Sequence, residues 1–247
     1  RLLAGRLDSD RSIYRNRVKY KEKYNWRIVY KYSDLLVSCD RNIIVKLERL
    51  IKEIYHLLGS CIRENPSFQK SLSPLEIKPE YPPVIKKMCR KAAIFNVGPM
   101  AAVAGAVCDY LASGLDRYCS RLIIENGGDV FIKSNKDIKV GVYLRNKHFK
   151  DKIYLKIKAA GTPRALCSSS GNFGHSLSMG SSDLVVVLAK STISADGAAT
   201  SIANNIRSPE DIFKTIRSYK NIKDIGGIII IKDDKLGVWG NIEFINN

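Results

Sequence analysis

Residues 121–133 read Arg-Leu-Ile-Ile-Glu-Asn-Gly-Gly-Asp-Val-Phe-Ile-Lys, two apolar runs around Asn126-Gly127-Gly128-Asp129. Two successive glycines allow the positive φ that a two-residue turn between antiparallel strands needs. The segment therefore predicts a hairpin, with strands over 121–125 and 130–133. The same glycines would let a ligand approach the backbone closely, and Asp129 suits a ribose hydroxyl or a metal. An ordinary hairpin turn explains the segment equally well on its own.

Upstream, residues 98–115 (GPMAAVAGAVCDYLASGL) are helical in pattern and rich in Ala and Gly, which implies close backbone packing against a sheet or ligand, with Gly114 as a C-terminal stop. A helix is expected from Pro83 through Ala93. Residues 64–83 hold five prolines and read as an irregular connection that crosses the mouth of a site. Before it, Ile43, Ile44, Leu47, Leu50, Ile51, Ile54, Leu57 and Leu58 form one helical stripe, capped by Asp40 and stopped by Gly59. Residues 12–20 and 25–38 read as antiparallel strands with a turn at Lys21 to Tyr24. Downstream, strands are expected at 138–144, 153–159, 165–169 and 183–189. A helix is expected over 193–206, and a second one opens at Ser208-Pro209-Glu210-Asp211. The chain closes with a hairpin turning at Asp233-Asp234. Strands dominate without βαβα alternation, so the fold class is α+β, with mixed antiparallel sheets and packed helices.

The 247 residues are 45% hydrophobic, enough for a full core. No apolar run reaches membrane-spanning length. The opening RLLAGRLDSD shows neither a long apolar stretch nor a small-residue cleavage site, so no secretory signal is expected, although the first residue is not Met. The six cysteines include no CxxC pair and fit scattered reduced thiols in a cytoplasmic protein better than a disulfide framework or zinc site. The net charge is +17, and the first 91 residues carry 21 basic against 10 acidic side chains. Such a field attracts polyanions. No nucleic-acid motif accompanies it, so a solvated Lys/Arg-rich surface is preferred to an RNA-binding segment, which would bind with a steep salt dependence.

Two further segments bear on chemistry. Cys167-Ser168-Ser169-Ser170-Gly171-Asn172-Phe173-Gly174-His175 offers hydroxyls and free N–H groups that can hold phosphate oxygens. Within it His175 is a candidate general base and Cys167 a candidate nucleophile, while a polar loop with a small core cysteine is the plain alternative. Of the three histidines, His175 alone stands in a Gly/Ser-rich setting. The second segment is Ser194-Ala195-Asp196-Gly197-Ala198-Ala199-Thr200, where Asp196 and Thr200 share a helix face. A carboxylate and a hydroxyl there suit Mg²⁺, although Asp near a helix N-terminus also complements the dipole. Walker, GxGxxG, GxSxG and HExxH patterns are absent from the sequence.

Taken in order, these segments resemble the ApbE-like superfamily, whose best known members are FAD:protein FMN transferases. GPMAAVAGA is similar to their glycine-rich helix start, ENGGD to their Asn-x-Gly-Gly-Asp segment, SSGNFGH to their Thr-Ser-Gly stretch followed by His, and SADGAATSIAN to their Ala-Asp-Ala-x-Ala-Thr helix. The core resemblance covers about residues 92–206 of one expected ApbE-like, T-fold-like domain. Strands and a helix at 12–59 precede it, and a helix and hairpin at 208–244 follow. The resemblance implies that Asp196 and Thr200 bind Mg²⁺. It also implies that Asn126, Gly127, Gly128 and Asp129 face FAD or another nucleotide, that Ser169, Ser170 and Gly171 cradle phosphate, and that His175 assists transfer. A branch found in archaea and some bacteria is more similar still, with VGPMAAVAGA, ENGGD and a CxSSGxxGHS segment. That branch is associated with sulfide assimilation into homocysteine, which implies a second expectation: persulfide transfer through Cys167, with a sulfur-carrier protein as partner. A non-enzymatic binding module is a further expectation. The sequence departs from the transferases twice. It has no Lys within 102–106, and it lacks the Asp-Pro-x-Thr-Gly loop after His175, so groups that position substrate or assist proton transfer are missing. Small residues at 101–106 are compatible with a homo-oligomer.

Overall fold

The computed structural model describes residues 22–144, 146–149, 152–159, 164–169 and 181–246. The expected strand at 12–20 lies outside them. The stretch 25–38 is two strands rather than one. β1 (Tyr24–Tyr30) and β2 (Ser33–Cys39) fold back on each other at Lys31, whose φ is 50°. β2 pairs with β3 (Leu122–Asn126), and β3 turns through Gly127 (φ 67°) and Gly128 (φ 103°) into β4 (Asp129–Lys133). The predicted hairpin is therefore present, and both glycines occupy the region that L side chains avoid.

β4 next pairs with β7 (Arg164–Ser169), which continues through β8 (Leu184–Ala189) and β9 (Ile225–Lys232) to β10 (Lys235–Gly240). These eight strands form one antiparallel sheet. The chain between β4 and β7 makes β5 (Ile138–Tyr143) and β6 (Lys152–Ile157), which with β11 (Glu243–Phe244) form a three-stranded sheet. The fold is α+β with antiparallel sheets and packed helices, as the absence of βαβα alternation implied.

The helices are α1 (Ile44–Glu64), α2 (Ser67–Lys70), α3 (Pro83–Phe95), α4 (Val103–Leu115), α5 (Thr192–Asn204) and α6 (Asp211–Tyr219). A 3₁₀ turn, Pro99–Ala102, leads into α4. Two expected boundaries move. α1 runs through Gly59 to Glu64, because the apolar stripe continues to buried Cys61. Asp40 does not cap α1; its carboxylate accepts from the N–H groups of Ser120 and Arg121 (both 3.3 Å). The proline-rich connection is not wholly irregular, since α2 seats Phe68 in the core beside Tyr81.

The long apolar runs of β8 and β9 follow from burial on both faces. Val185, Val187, Ile228 and Ile230 pack under α5 and α6. Their neighbours Leu184, Val186, Ile229 and Ile231 pack against the small sheet. A strand covered on both sides loses polar–apolar alternation. Each such side chain contributes on the order of 1.5–3 kcal/mol relative to exposure. Among the described residues no single helix is long and apolar enough to cross a membrane.

α4 and α5 approach unusually closely. A Cβ placed on Gly105 would lie 2.3 Å from the Thr192 carbonyl oxygen and 2.9 Å from Cβ of Asp196. Gly105→Ala should therefore lower stability by about 2 kcal/mol or more, because backbone is the obstacle and cannot swing aside. Gly59→Ala is the contrasting case. Its new Cβ meets only the flexible end of Arg63 at 3.4 Å, so gaining helix propensity should raise stability by about 0.5–1 kcal/mol. Urea unfolding of both variants checks the pair.

Candidate functional site

The turn at 101–105 gathers two of the sequence segments, ENGGD and the helix of Asp196 and Thr200. The Asn126 side-chain amide donates to the Ala104 carbonyl (3.3 Å). The Asp196 carboxylate accepts from the Gly105 N–H (2.8 Å). The Thr200 hydroxyl donates to the Ala101 carbonyl (3.3 Å). Asp196 and Thr200, four residues apart on α5, thus face the start of α4 as their spacing required. The glycine turn is held from the side as well. Gly128 N–H donates to the Glu125 carboxylate (2.9 Å), and Ser168 Oγ donates to the Gly128 carbonyl (3.3 Å).

Gly105 is the third residue of α4, where backbone N–H groups lack partners within the helix. Asp196 satisfies that group from α5. The reverse also holds, because Asp109 on α4 accepts from the Thr192 N–H (2.9 Å) and hydroxyl at the first position of α5. Lys87 pairs with the other oxygen of Asp109 (2.8 Å). Each helix therefore caps the other with a carboxylate placed four residues beyond its own contact.

Burial pushes the Asp196 carboxyl up from 3.8 to about 7, against the opposing pull of the Gly105 and Ala104 N–H groups. The consequence for stability has a definite sign. The folded state retains a proton that the unfolded chain releases between those values, so stability falls as pH rises from about 4 to about 7. The residue keeps part of its surface open. Asp196, Thr200 and the Ala101 carbonyl offer hard oxygen donors only, a set that fits Mg²⁺.

The sulfurs are differently placed. Cys167 is fully buried on β7, opposite Asp129 in the β4–β7 register, and its thiol donates to the Thr192 carbonyl (3.6 Å). Cys108 is also fully buried, with its thiol toward the Asp129 carbonyl (3.7 Å). Burial first, then the charges of Asp129 and Asp196, raise the Cys167 thiol well above its usual range. That is the setting of a small core residue rather than of an activated nucleophile. Ser169 is buried at the end of β7, and its hydroxyl has no partner among the described residues. Ser170, Gly171 and His175 lie outside the described residues.

Sequence reasoning missed Asp109, whose role depends on a partner 83 residues away, and the carbonyls of Ala101 and Ala104. The small-residue run 101–106 was the one visible signal of the close approach.

Comparisons with known proteins identify the family. The family model described as "AbpE bacteria" matches residues 15–232. Similar relatives include UPF0280 protein MJ1526 of Methanocaldococcus jannaschii, 34% identical over 222 residues, covering 87% of this chain and 90% of the relative. A UPF0280 protein of Methanobrevibacter smithii is 38% identical over 205 residues, covering 79% and 85%. The chain belongs to the ApbE-like superfamily. Solved structures carry the fold to greater distance. The ApbE protein of Thermotoga maritima aligns with a TM-score of 0.61 at 14% identity, covering 90% of this chain and 96% of that one. The flavin transferase ApbE of Vibrio cholerae aligns with a TM-score of 0.52 at 14% identity, covering 87% and 96%. The ApbE-like fold is thus shared with these structures.

Two measurements check the site. Asp196→Asn should melt at a higher temperature than the parent at pH 8, with the gap shrinking toward pH 5, because the substitution removes a charge that only higher pH forces into the site. Iodoacetamide applied to the native protein at pH 8 should leave Cys167 unmodified; rapid labelling there would restore the nucleophile reading.

Proposed function

We propose that this ApbE-like chain binds a flavin or another nucleotide together with Mg²⁺ at the turn where α4, α5 and the β3–β4 hairpin meet. The carrying observation is the Asp196 carboxylate, held at the start of α4 yet raised to about 7 by burial. A divalent cation at this point would compensate a charge that the fold alone leaves costly. Asp196 and Thr200 would hold the ion, and the ion would neutralise pyrophosphate charge. Gly127 and Gly128 carry no side chain at the turn, and the buried Ser169 hydroxyl has hydrogen-bonding capacity to spare. Asn126, tied to Ala104, would set the distance between the glycine turn and the metal. Asp129, opposite Cys167 at the head of β4, would meet the ribose or ribityl hydroxyls.

This reading concerns binding first, and transfer to an acceptor is the next step to test. The missing Lys within 102–106 leaves the start of α4 lined by Ala, Val and Gly. The persulfide alternative depends on Cys167, and complete burial of that thiol argues against it.

Titration of the purified protein with FAD, FMN, ADP and ATP, with and without Mg²⁺, tests the proposal. Tight binding of at least one should depend on Mg²⁺ and fall at least about tenfold in Asp196→Ala, since a charge-assisted ligand is lost. Mg²⁺ affinity should rise about tenfold per pH unit below about 7 and level off above it, because the carboxyl must lose its proton to bind. Failure of all four nucleotides to bind, or Mg²⁺-dependent binding that survives Asp196→Ala, would overturn the proposal.

A further inference from the structure

Away from this turn, Cys39 at the end of β2 and Cys119 just before β3 bring their sulfurs to 2.8 Å across a separation of 80 residues. Both side chains are buried. The backbone around them is clamped. Asp40 takes the N–H groups of Ser120 and Arg121 on its carboxylate and donates its own N–H to the Arg121 carbonyl (3.4 Å). Cys39 is the register partner of Leu122, which fixes the chain that carries Cys119 alongside it. Arg41 N–H also points to Cys39 Sγ (3.4 Å).

We propose that Cys39 and Cys119 form a reversible intrachain disulfide. A bonded pair sits at about 2.05 Å, so closure asks for less than an ångström of movement between segments already held together. The competing use of two thiols beside a carboxylate is a thiophilic metal, since Asp40 also lies within 4.8 Å. A tetrahedral ion with sulfurs about 2.3 Å away would hold them roughly 3.8 Å apart, farther than they stand. The Asp40 oxygens are moreover occupied by two backbone N–H groups, which suits a clamp better than a ligand.

The oxidant required is a low-molecular-weight disulfide. Burial raises both thiols, so the step draws on a small thiolate fraction and quickens as pH rises; Cys119, which retains slightly more exposure, attacks one sulfur of the disulfide as thiolate and expels the first small thiol. Cys39 then attacks the Cys119 sulfur of the mixed disulfide and expels the second. Two S–H bonds are lost and one S–S bond forms, and the two electrons and two protons leave on the two small thiols. The product staples the end of β2 to the start of β3 and closes a long loop in the unfolded chain.

The test uses the full chain equilibrated in buffers of oxidised and reduced glutathione, acid-quenched, unfolded in denaturant, alkylated and mapped by mass spectrometry. The expected result is loss of two hydrogen atoms, with the peptides of Cys39 and Cys119 joined and the other four cysteines alkylated. Cys119→Ser should abolish the link and Cys61→Ser should keep it. The oxidised protein should melt roughly 5–10 °C above the reduced one, and reductant should reverse the shift. Should the serine variant fail to fold, the peptide map of the parent decides alone. Two thiols that remain alkylatable at the most oxidising ratio would overturn the proposal. So would one equivalent of zinc bound to the reduced protein and released on alkylating this pair.

Discussion

The structure depends on the mutual capping of α4 and α5. At Gly105 the two backbones come so near that no side chain fits between them, and each helix places an aspartate on the other's first turn. A helix terminus buried without partners would leave several N–H groups unsatisfied, at about 1–3 kcal/mol each. Asp196 and Asp109 offset part of that cost in both directions at once, and Ser191 Oγ accepts from the Ser194 N–H as well. The arrangement also explains why the start of α4, residues 103–107, is built from Ala, Val and Gly. A larger side chain near 105 would separate the helices and break both caps together.

The same contact joins architecture to chemistry. Asp196 is at once a cap and the charge that the site has most difficulty accommodating. Asp129 approaches the same buried thiols, Cys108 and Cys167, from the sheet side. Two carboxylates thus stand near one buried patch of sulfur and small side chains in a chain whose net charge is +17. A cation there, as proposed, would offset that charge and let an anionic ligand approach carboxylates that would otherwise repel it.

Much of this was legible in the sequence, because local rules governed it. Gly127 and Gly128 announced their turn, Pro83 its helix, and the spacing of Asp196 and Thr200 their shared face. The helix stripe ending at Leu58 misled, because Gly59 was read as a stop although Cys61 carries the apolar face another turn. Residues 25–38 misled because Lys31 gives no sign in the sequence that it will take positive φ. What the sequence did not disclose is long-range. Asp40 reaches across to Ser120 and Arg121, Asp109 to Thr192, and Cys39 to Cys119. No periodicity records such partners, since each depends on how strands far apart in the chain come into register.

The junction of β4 with β7 has a consequence for how the molecule is made. The first four strands are neighbours in the large sheet, and β3 and β4 pair through a two-residue turn. β7 reaches β4 only after the chain has gone out through β5 and β6 and returned, and the register it adopts sets Cys167 against Asp129. Non-local pairing of this kind must overcome loop-closure entropy before it gains contacts, so it belongs to the slow part of folding. Ser168 and Ser169 ride on β7. A nascent chain that has completed its N-terminal strands therefore holds the glycine turn but not the wall opposite it, and the proposed site is assembled only after β7 has closed on β4 and α5, with Asp196 and Thr200, has followed.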